Sequence, residues 1–148
     1  QKVKIRRERQ RLLTRPAPPA PELDVIVEEA VLNRPIADAE AWARQLAHLV
    51  NISTAQENVR VRVIPRERAL HRVAHAGGFV LLDFPAIGLR NPEPSTVYIE
   101  GLTGALYLDE PGEVDTFQGA WDVLDAVALD RDASDDLISK LIKECVDD

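Results

Sequence analysis

Several features that would assign this 148-residue sequence to a common class of protein are missing from it. A single cysteine, Cys145, excludes an internal disulfide and is typical of proteins that work in a reducing cytoplasm. No apolar run approaches the roughly 18 residues of a membrane-spanning helix, and no apolar signal-peptide segment follows the basic start. The sequence therefore predicts a cytoplasmic protein without a membrane segment.

Methionine is absent as well, and the chain begins with Gln1. Because translation starts at methionine, we expect a fragment or a processed product of a longer protein. A segment upstream of Gln1 is part of that expectation.

Catalytic and metal-binding motifs are also missing. Ser, Cys and His do not follow a triad order, and no two carboxylates are spaced as an acid–base pair. His71 and His75 have the i, i+4 spacing of metal ligands on a helix, but no third ligand is near and no HExxH-like motif occurs. We therefore predict no enzyme activity, no cofactor and no metal site, and place His75 at the edge of a pocket.

Charge is distributed unevenly along the chain. Residues 1–15 contain seven basic residues and one acidic residue, a net charge of +6, which leaves −13 on residues 16–148 from the total of −7. The acidic body is unsuited to nucleic acid, whereas the basic start could contact it, remain solvated or dock on a partner. The candidates for nucleic-acid contact are Arg6, Arg7, Arg9 and Arg11.

The proline-rich segment Pro16–Pro21 predicts a stiff, extended spacer, because proline fixes the backbone and stops a helix. Helix formers without Gly or Pro precede it over Lys2–Thr14. We therefore predict a basic connecting helix and linker over residues 1–22, and a regulatory or interaction domain over residues 23–148.

Five segments have the composition of β-strands. Val59–Pro65 alternates valine with arginine, which predicts a buried face and a cationic face. Arg60 and Arg62 would pair with acidic neighbours or form an anion-binding or partner surface. Leu23–Leu32 suits a strand or a helix, and we assign a strand to about residues 24–29. The three remaining segments are Phe79–Phe84, Val97–Glu100 and Ala105–Asp109.

Helical periodicity accounts for much of the rest. Asp38 is predicted to cap a helix that runs to about Asn51, and another helix is predicted to begin near Glu113. This helix is predicted to be interrupted at Asp130–Ala133, and a last helix capped by Ser134 is predicted to follow. The sequence thus predicts an α+β fold, in which a mainly antiparallel sheet of about five strands packs with helices and a connecting helix precedes it.

The helix after residue 113 carries a narrow apolar seam with helical spacing. Such a seam forms either part of the core or a subunit interface, as in a homodimer. The candidates for self-association are Val114, Phe117 and Trp121.

Glu28 and Glu29 are adjacent, so on a strand one of them should face inward and need a partner, for which Arg34 is the nearby candidate. Other polar or aromatic residues lie at the ends of predicted strands or in turns. The candidates for ligand or partner binding are Glu29, Arg34, His75, Phe79, Tyr98 and Glu100.

A series of short segments resembles one known family in content and order. They read VEEAVLNRPI, NVRVRVIP, GGFVLLDFP, STVYIEG, LTGALYLDEPGEVDTF and AVALDRDASDDLI. Together they resemble the C-terminal domain of actinobacterial XRE-type helix-turn-helix transcriptional regulators, in the antitoxin-like, WhiJ-like class.

The resemblance implies a regulatory domain without catalytic residues. It also implies a DNA-binding helix-turn-helix domain upstream, a small partner protein encoded nearby, and a role in ligand or partner sensing and self-association. Two alternative functions remain. The domain binds a small molecule without a protein partner, or the basic N-terminal arm of residues 1–22 binds nucleic acid.

Overall fold

The computed structural model describes residues 2–34, 37–86 and 91–147. Its helices and strands are, in chain order, α1 (Lys2–Gln10), β1 (Leu23–Glu28), α2 (Glu29–Leu32), α3 (Ala39–Ala55), β2 (Val59–Ile64), β3 (Val80–Leu82), β4 (Thr96–Gly101), β5 (Gly104–Leu108), α4 (Pro111–Val127) and α5 (Arg131–Asp147). Short 3₁₀ helices cover Arg11–Thr14 and Arg66–Arg68.

Two structural units share these elements. The first unit comprises Gln1–Arg68 and Ala128–Asp148, and the second comprises Ala69–Val127. The first unit thus holds the β1–β2 sheet with α3 and α5, and the second holds the β3–β4–β5 sheet with α4.

In the first unit, β1 and β2 pair in parallel, with Leu23 opposite Val59 at one end and Glu28 opposite Ile64 at the other. Residues 29–58 connect them and contain the 17-residue helix α3. A helical crossover of this kind returns the chain to the end where the first strand began, so parallel pairing follows. Asp38 caps α3 as predicted, because its Oδ1 accepts a hydrogen bond from the backbone N of Ala41 at 2.8 Å.

The core of the first unit lies among β2, α3 and α5. Leu46 of α3, Val63 of β2 and Ile138 of α5 are fully buried and belong to one cluster with Leu32 and Leu141. Burial of each large aliphatic side chain contributes about 1.5–3 kcal/mol. This cluster therefore fixes α3 and α5 against the parallel strands.

The edge of β2 that faces away from β1 is covered by groups from both helices. The backbone N of Val61 donates to Ser53 Oγ of α3 at 3.4 Å, and that of Val63 donates to Ser134 Oγ of α5 at 3.0 Å. The carbonyl of Val63 accepts from the backbone N of Leu129 at 2.9 Å. These three hydrogen bonds satisfy backbone groups of β2 that its pairing with β1 leaves free.

In the second unit, β3, β4 and β5 form an antiparallel sheet in that order. Val97 of β4 is fully buried, and Phe79 contacts Phe117 of α4 edge-to-face with ring centroids 5.1 Å apart. Because residues of a strand alternate between faces, Phe79 and Val97 mark the covered face.

The prediction of one mainly antiparallel sheet of about five strands is wrong. The described residues form an α+β structure with five α-helices and two small sheets, one of two parallel strands and one of three antiparallel strands. The alternation of side chains indicates a strand but not its neighbour. The crossover through α3 decided the pairing of β1 and β2.

Two smaller predictions are also corrected. Helix α5 begins at Arg131, and its first turn is capped by Asp130, whose Oδ1 accepts from the backbone N of Ala133 at 2.9 Å. Ser134 is therefore inside the helix, and the break falls at residues 128–130. Pro16–Pro19 form turns instead of an extended spacer, and Asn58 Nδ2 donates to the carbonyls flanking them, of Leu13 at 3.1 Å and Pro21 at 2.9 Å.

Candidate functional site

The carboxyl ends of β1 and β2 lie side by side at one end of the two-stranded sheet. Glu29 follows β1 directly, and Pro65–Glu67 follow β2. Parallel strands place these ends together, and ligands of open α/β sheets bind outside the carboxyl ends of the strands. Glu29 therefore lies at the end of the sheet where a binding site is expected.

Glu29 is held there by groups from two segments. Its Oε2 accepts a hydrogen bond from the backbone N of Arg66 at 2.9 Å, and its Oε1 accepts from Asn33 Nδ2 at 3.2 Å. Arg66 Nε lies 3.4 Å from Oε1. The Glu29 side chain is only 15% exposed, whereas that of Arg66 is 65% exposed. A largely buried carboxylate with several donors is fixed in position.

Around Glu29 lies a cleft of about 540 Å³, which we call the Glu29 cleft. One wall comes from the segments that directly follow β1 and β2, and the other comes from α5. Its lining residues are Glu29, Asn33, Pro65, Arg66, Glu67, Asp136, Leu137, Lys140, Leu141 and Glu144. The volume falls within the range of about 300–1,000 Å³ that is common for ligand sites.

Charge in the Glu29 cleft is mixed, with an acidic excess. Four carboxylates and two cations line it, for a net charge of −2. Leu137 and Leu141 add apolar surface between the charges. The arrangement can bind a polar ligand or a peptide segment, with a preference for one that carries positive charge.

Asp135 precedes the lining residue Asp136 on α5. Burial raises the pKa of the Asp135 carboxyl above its ordinary value; Arg131 opposes this effect, and the neighbouring carboxylates of Asp132 and Asp136 reinforce it. Its Oδ1 is buried and has no hydrogen-bond partner among the described residues. Ionisation of Asp135 is therefore less favourable in the folded chain than in the unfolded chain.

Arg60 of the VRVRV pattern is exposed near the amino end of the parallel pair. Arg62 lies in the middle of the pair and is buried, so the predicted cationic face is wrong at this residue. Asp24 of β1 forms ion pairs with both Arg60 and Arg62, the second at 3.2 Å. This supports the prediction that these arginines pair with acidic neighbours. A smaller cavity of about 310 Å³ lies here, lined by Glu22, Leu23, Asp24, Glu57, Asn58, Val59, Arg60 and Arg131.

The predicted binding residues are divided between the two units. Glu29 lies in the cleft, but the neighbouring Arg34 is exposed, and Glu29 contacts Asn33 and Arg66 instead. In the second unit, His75 and Glu100 are exposed. The remaining two make ring contacts: Phe79 with Phe117, and Tyr98 with Tyr107 at 5.2 Å between centroids.

The residues predicted for self-association and nucleic-acid contact also have definite positions. Val114, Phe117 and Trp121 are half-buried on α4. Arg7, Arg9 and Arg11 are exposed, and the side chain of Arg6 lies outside the described part of the chain.

Sequence reasoning did not find Asn33, Arg66 or Lys140. If residues 23–64 had been predicted as two parallel strands joined by a helix, the residues that follow each strand would have been expected at the same end of the sheet. Arg66 would then have been expected beside Glu29. Nothing in the sequence marks Lys140, because it reaches the cleft only through the packing of α5.

Within the described residues, no group of three or more His, Cys, Asp or Glu side chains is placed to hold a metal ion. Each helix in this part of the chain is too short or too polar to cross a membrane.

The described residues thus form an α+β structure with two small sheets and an acidic cleft that is a candidate binding site. The family model described as "Domain of unknown function (DUF5753)" matches residues 1–140, and the chain belongs to this family. No curated protein and no solved structure matches the chain.

Proposed function

We propose that the chain is the regulatory domain of a DNA-binding transcriptional regulator of the XRE helix-turn-helix type. In this proposal it works in the cytoplasm, has no catalytic role, senses a small partner protein encoded nearby or a small ligand, and self-associates. The order of short segments from VEEAVLNRPI to AVALDRDASDDLI supports the regulator assignment.

The Glu29 cleft is the observation that carries the sensing role. The cleft offers several kinds of contact in one place: the fixed carboxylate of Glu29, the exposed cations of Arg66 and Lys140, and apolar surface at Leu137 and Leu141. Recognition sites combine apolar surface with a few well-placed polar groups in this way. The acidic excess favours a segment of the partner that carries lysine or arginine.

Isothermal titration of the chain with the purified small partner protein tests this role. Glu29→Gln keeps the size of the side chain but removes its charge, so we expect the dissociation constant to rise about tenfold or more. Glu40→Gln is the matched control, because Glu40 is an exposed helical residue that pairs with Arg44 away from the cleft. Thermal unfolding would confirm that both variants are folded.

Absence of binding by the wild-type chain would overturn partner recognition. Equal affinities for the wild-type chain and Glu29→Gln would instead place recognition outside the Glu29 cleft.

The exposed arginines of α1 and the following 3₁₀ helix favour a second candidate function, which is nucleic-acid binding by the arm. Arg7, Arg9 and Arg11 present their side chains to solvent. Binding to phosphates would be insensitive to DNA sequence and would weaken steeply as salt rises from about 50 to 200 mM. Fluorescence anisotropy with a labelled duplex measures this, and no binding at low salt would contradict it.

A further inference from the structure

Strand β5 is an open edge of the antiparallel sheet. It pairs with β4 on one side only, and Gly104–Tyr107 are exposed. In an antiparallel pair, alternate residues direct their N–H and C=O groups away from the neighbouring strand. The edge of β2 is closed by Ser53 and Ser134, whereas among the described residues no backbone hydrogen bond reaches β5 from outside its ladder with β4.

The sequence of β5 offers no protection against pairing. Strands at sheet edges are commonly kept apart by lysine, other charges, proline or shortness. The opposite edge, β3, has three residues and is followed by Asp83 and Pro85. In contrast, β5 reads GALYL over five residues and contains neither charge nor proline. One edge of the sheet is thus protected and the other is suited to receive a strand.

Apolar side chains at this edge are left exposed on both faces. Leu106 is 59% exposed, although it shares a face with Leu108 and with the buried Val97. On the other face, Tyr107 is 68% exposed beside Tyr98. A further strand along β5 would cover Leu106 and Tyr107 together.

We propose that β5 of a second copy of this chain is that strand. The two β5 strands pair antiparallel about a two-fold axis at Leu106, so that the two sheets form one six-stranded sheet. Tyr107 then lies opposite Ala105 of the second copy, and Gly104 lies opposite Leu108. All five residues of β5 are paired in this register. Tyr107 and Leu108 face the small Ala105 and Gly104, and Leu106 faces Leu106 of the second copy across the axis.

The charges beside β5 agree with self-pairing. In this register Asp109 lies opposite Thr103 of the second copy and Glu110 lies opposite Leu102, so no carboxylates of the adjoining segments face each other. The two Asp109 residues are six positions apart along the strands, about 20 Å. A basic foreign strand would gain only from Asp109 and Glu110 at one end, whereas the uncharged centre of β5 is complementary to itself.

The inference deepens the self-association in the proposed function and rests on that part of it. It also moves the contact away from α4, since Phe117 is already in contact with Phe79. Five paired residues bury less than the roughly 1,200 Å² of small stable interfaces, so the dimer should dissociate in the micromolar range or above.

Cysteine cross-linking tests the register directly. Cys145→Ser removes the single native thiol, and Leu106→Cys then places a thiol on the two-fold axis. Directly opposite residues have Cα atoms about 4.5–5.5 Å apart, a separation that a disulfide accepts. Leu102→Cys is the control, because the two copies of this exposed turn residue would lie eight positions apart, about 27 Å.

We expect mild oxidation to link most of the Leu106→Cys chains into dimers and to leave the Leu102→Cys chains as monomers.

Analytical ultracentrifugation should show dimerisation of the wild-type chain, at least tenfold weaker dimerisation of Leu106→Lys, and no change for Leu102→Lys. A wild-type chain that stays monomeric to about 1 mM would overturn the inference and self-association with it. A dimer that ignores Leu106→Lys, or equal cross-linking at both positions, would overturn the β5 interface alone.

Discussion

Two serine hydroxyls accept hydrogen bonds from backbone N–H groups on the buried free edge of β2. Ser53 and Ser134 are fully buried, and each accepts a hydrogen bond from a backbone N–H of β2 on the side where the described residues provide no further strand. Ser134 also donates to the carbonyl of Asp130 at 2.6 Å. A residue that sequence analysis assigned to a helix cap thus connects α5 to the core strand.

Ser134→Ala should therefore destabilise the chain by about 1–3 kcal/mol, because it leaves the buried N–H of Val63 without an acceptor. Urea unfolding followed by circular dichroism measures the change. Ser139→Ala on the same helix is the matched control, since Ser139 is only half-buried. Equal free energies of unfolding for the two variants would contradict this role of Ser134.

Asp135 makes stability depend on pH in a defined direction. Because burial raises its pKa in the folded chain, its contribution is most favourable below the unfolded pKa of about 3.9 and is lost as pH rises through the folded pKa. Asp135→Asn removes this loss, so the variant should gain stability relative to the wild-type chain at pH 7 but not at pH 3.

Urea unfolding at the two pH values measures the difference. Asp115→Asn, which removes an exposed charge on α4, is the control. A gain for Asp135→Asn that is the same at pH 3 and pH 7 would show that its titration is not the cause.

At the scale of elements, one amide holds the arm to the first unit. Asn58 follows α3 and donates both N–H groups of its amide, to the carbonyls of Leu13 and Pro21. These two carbonyls flank the proline turns at Pro16–Pro19. The position of the basic helix α1 therefore depends on a residue more than thirty positions away in sequence.

Asn58→Ala should loosen the arm without unfolding the unit. Loss of two hydrogen bonds corresponds to about 1–3 kcal/mol, and amide-hydrogen exchange over residues 10–22 should become faster. Asn51→Ala, on the exposed surface of α3, should leave this exchange unchanged. If Asn58→Ala has no effect on exchange in the arm, Asn58 does not hold it.

Elements were easier to predict from sequence than their pairing. Alternation in VRVRVI and short apolar runs located all the strands of the described part within a few residues. Strand partners depend on the path of the connection, and the long helical crossover made β1 and β2 parallel. The start of α5 was missed because both Asp130 and Ser134 are suitable caps, and packing against β2 selected Asp130.

At the scale of the molecule, one of the six predicted binding candidates, Glu29, lines the cleft, and its role in binding stays a prediction. The sequence predicted that one of the adjacent residues Glu28 and Glu29 faces inward, and Glu29, a binding candidate, is largely buried in the cleft. Its contacts with Asn33 and Arg66 depend on α2 and on the parallel pairing, neither of which was predicted. Local sequence patterns thus pointed to Glu29. The residues that α5 contributes to the cleft could be recognised only from the three-dimensional fold.

The central claim is that the Glu29 cleft receives the small partner protein encoded nearby. Amide-hydrogen exchange of the chain, with and without that protein, tests it most directly. We predict that protection on binding is concentrated in residues 29–33, 65–67 and 136–144, which line the cleft. Protection confined to the arm or to residues 96–108, with these segments unchanged, would contradict the claim.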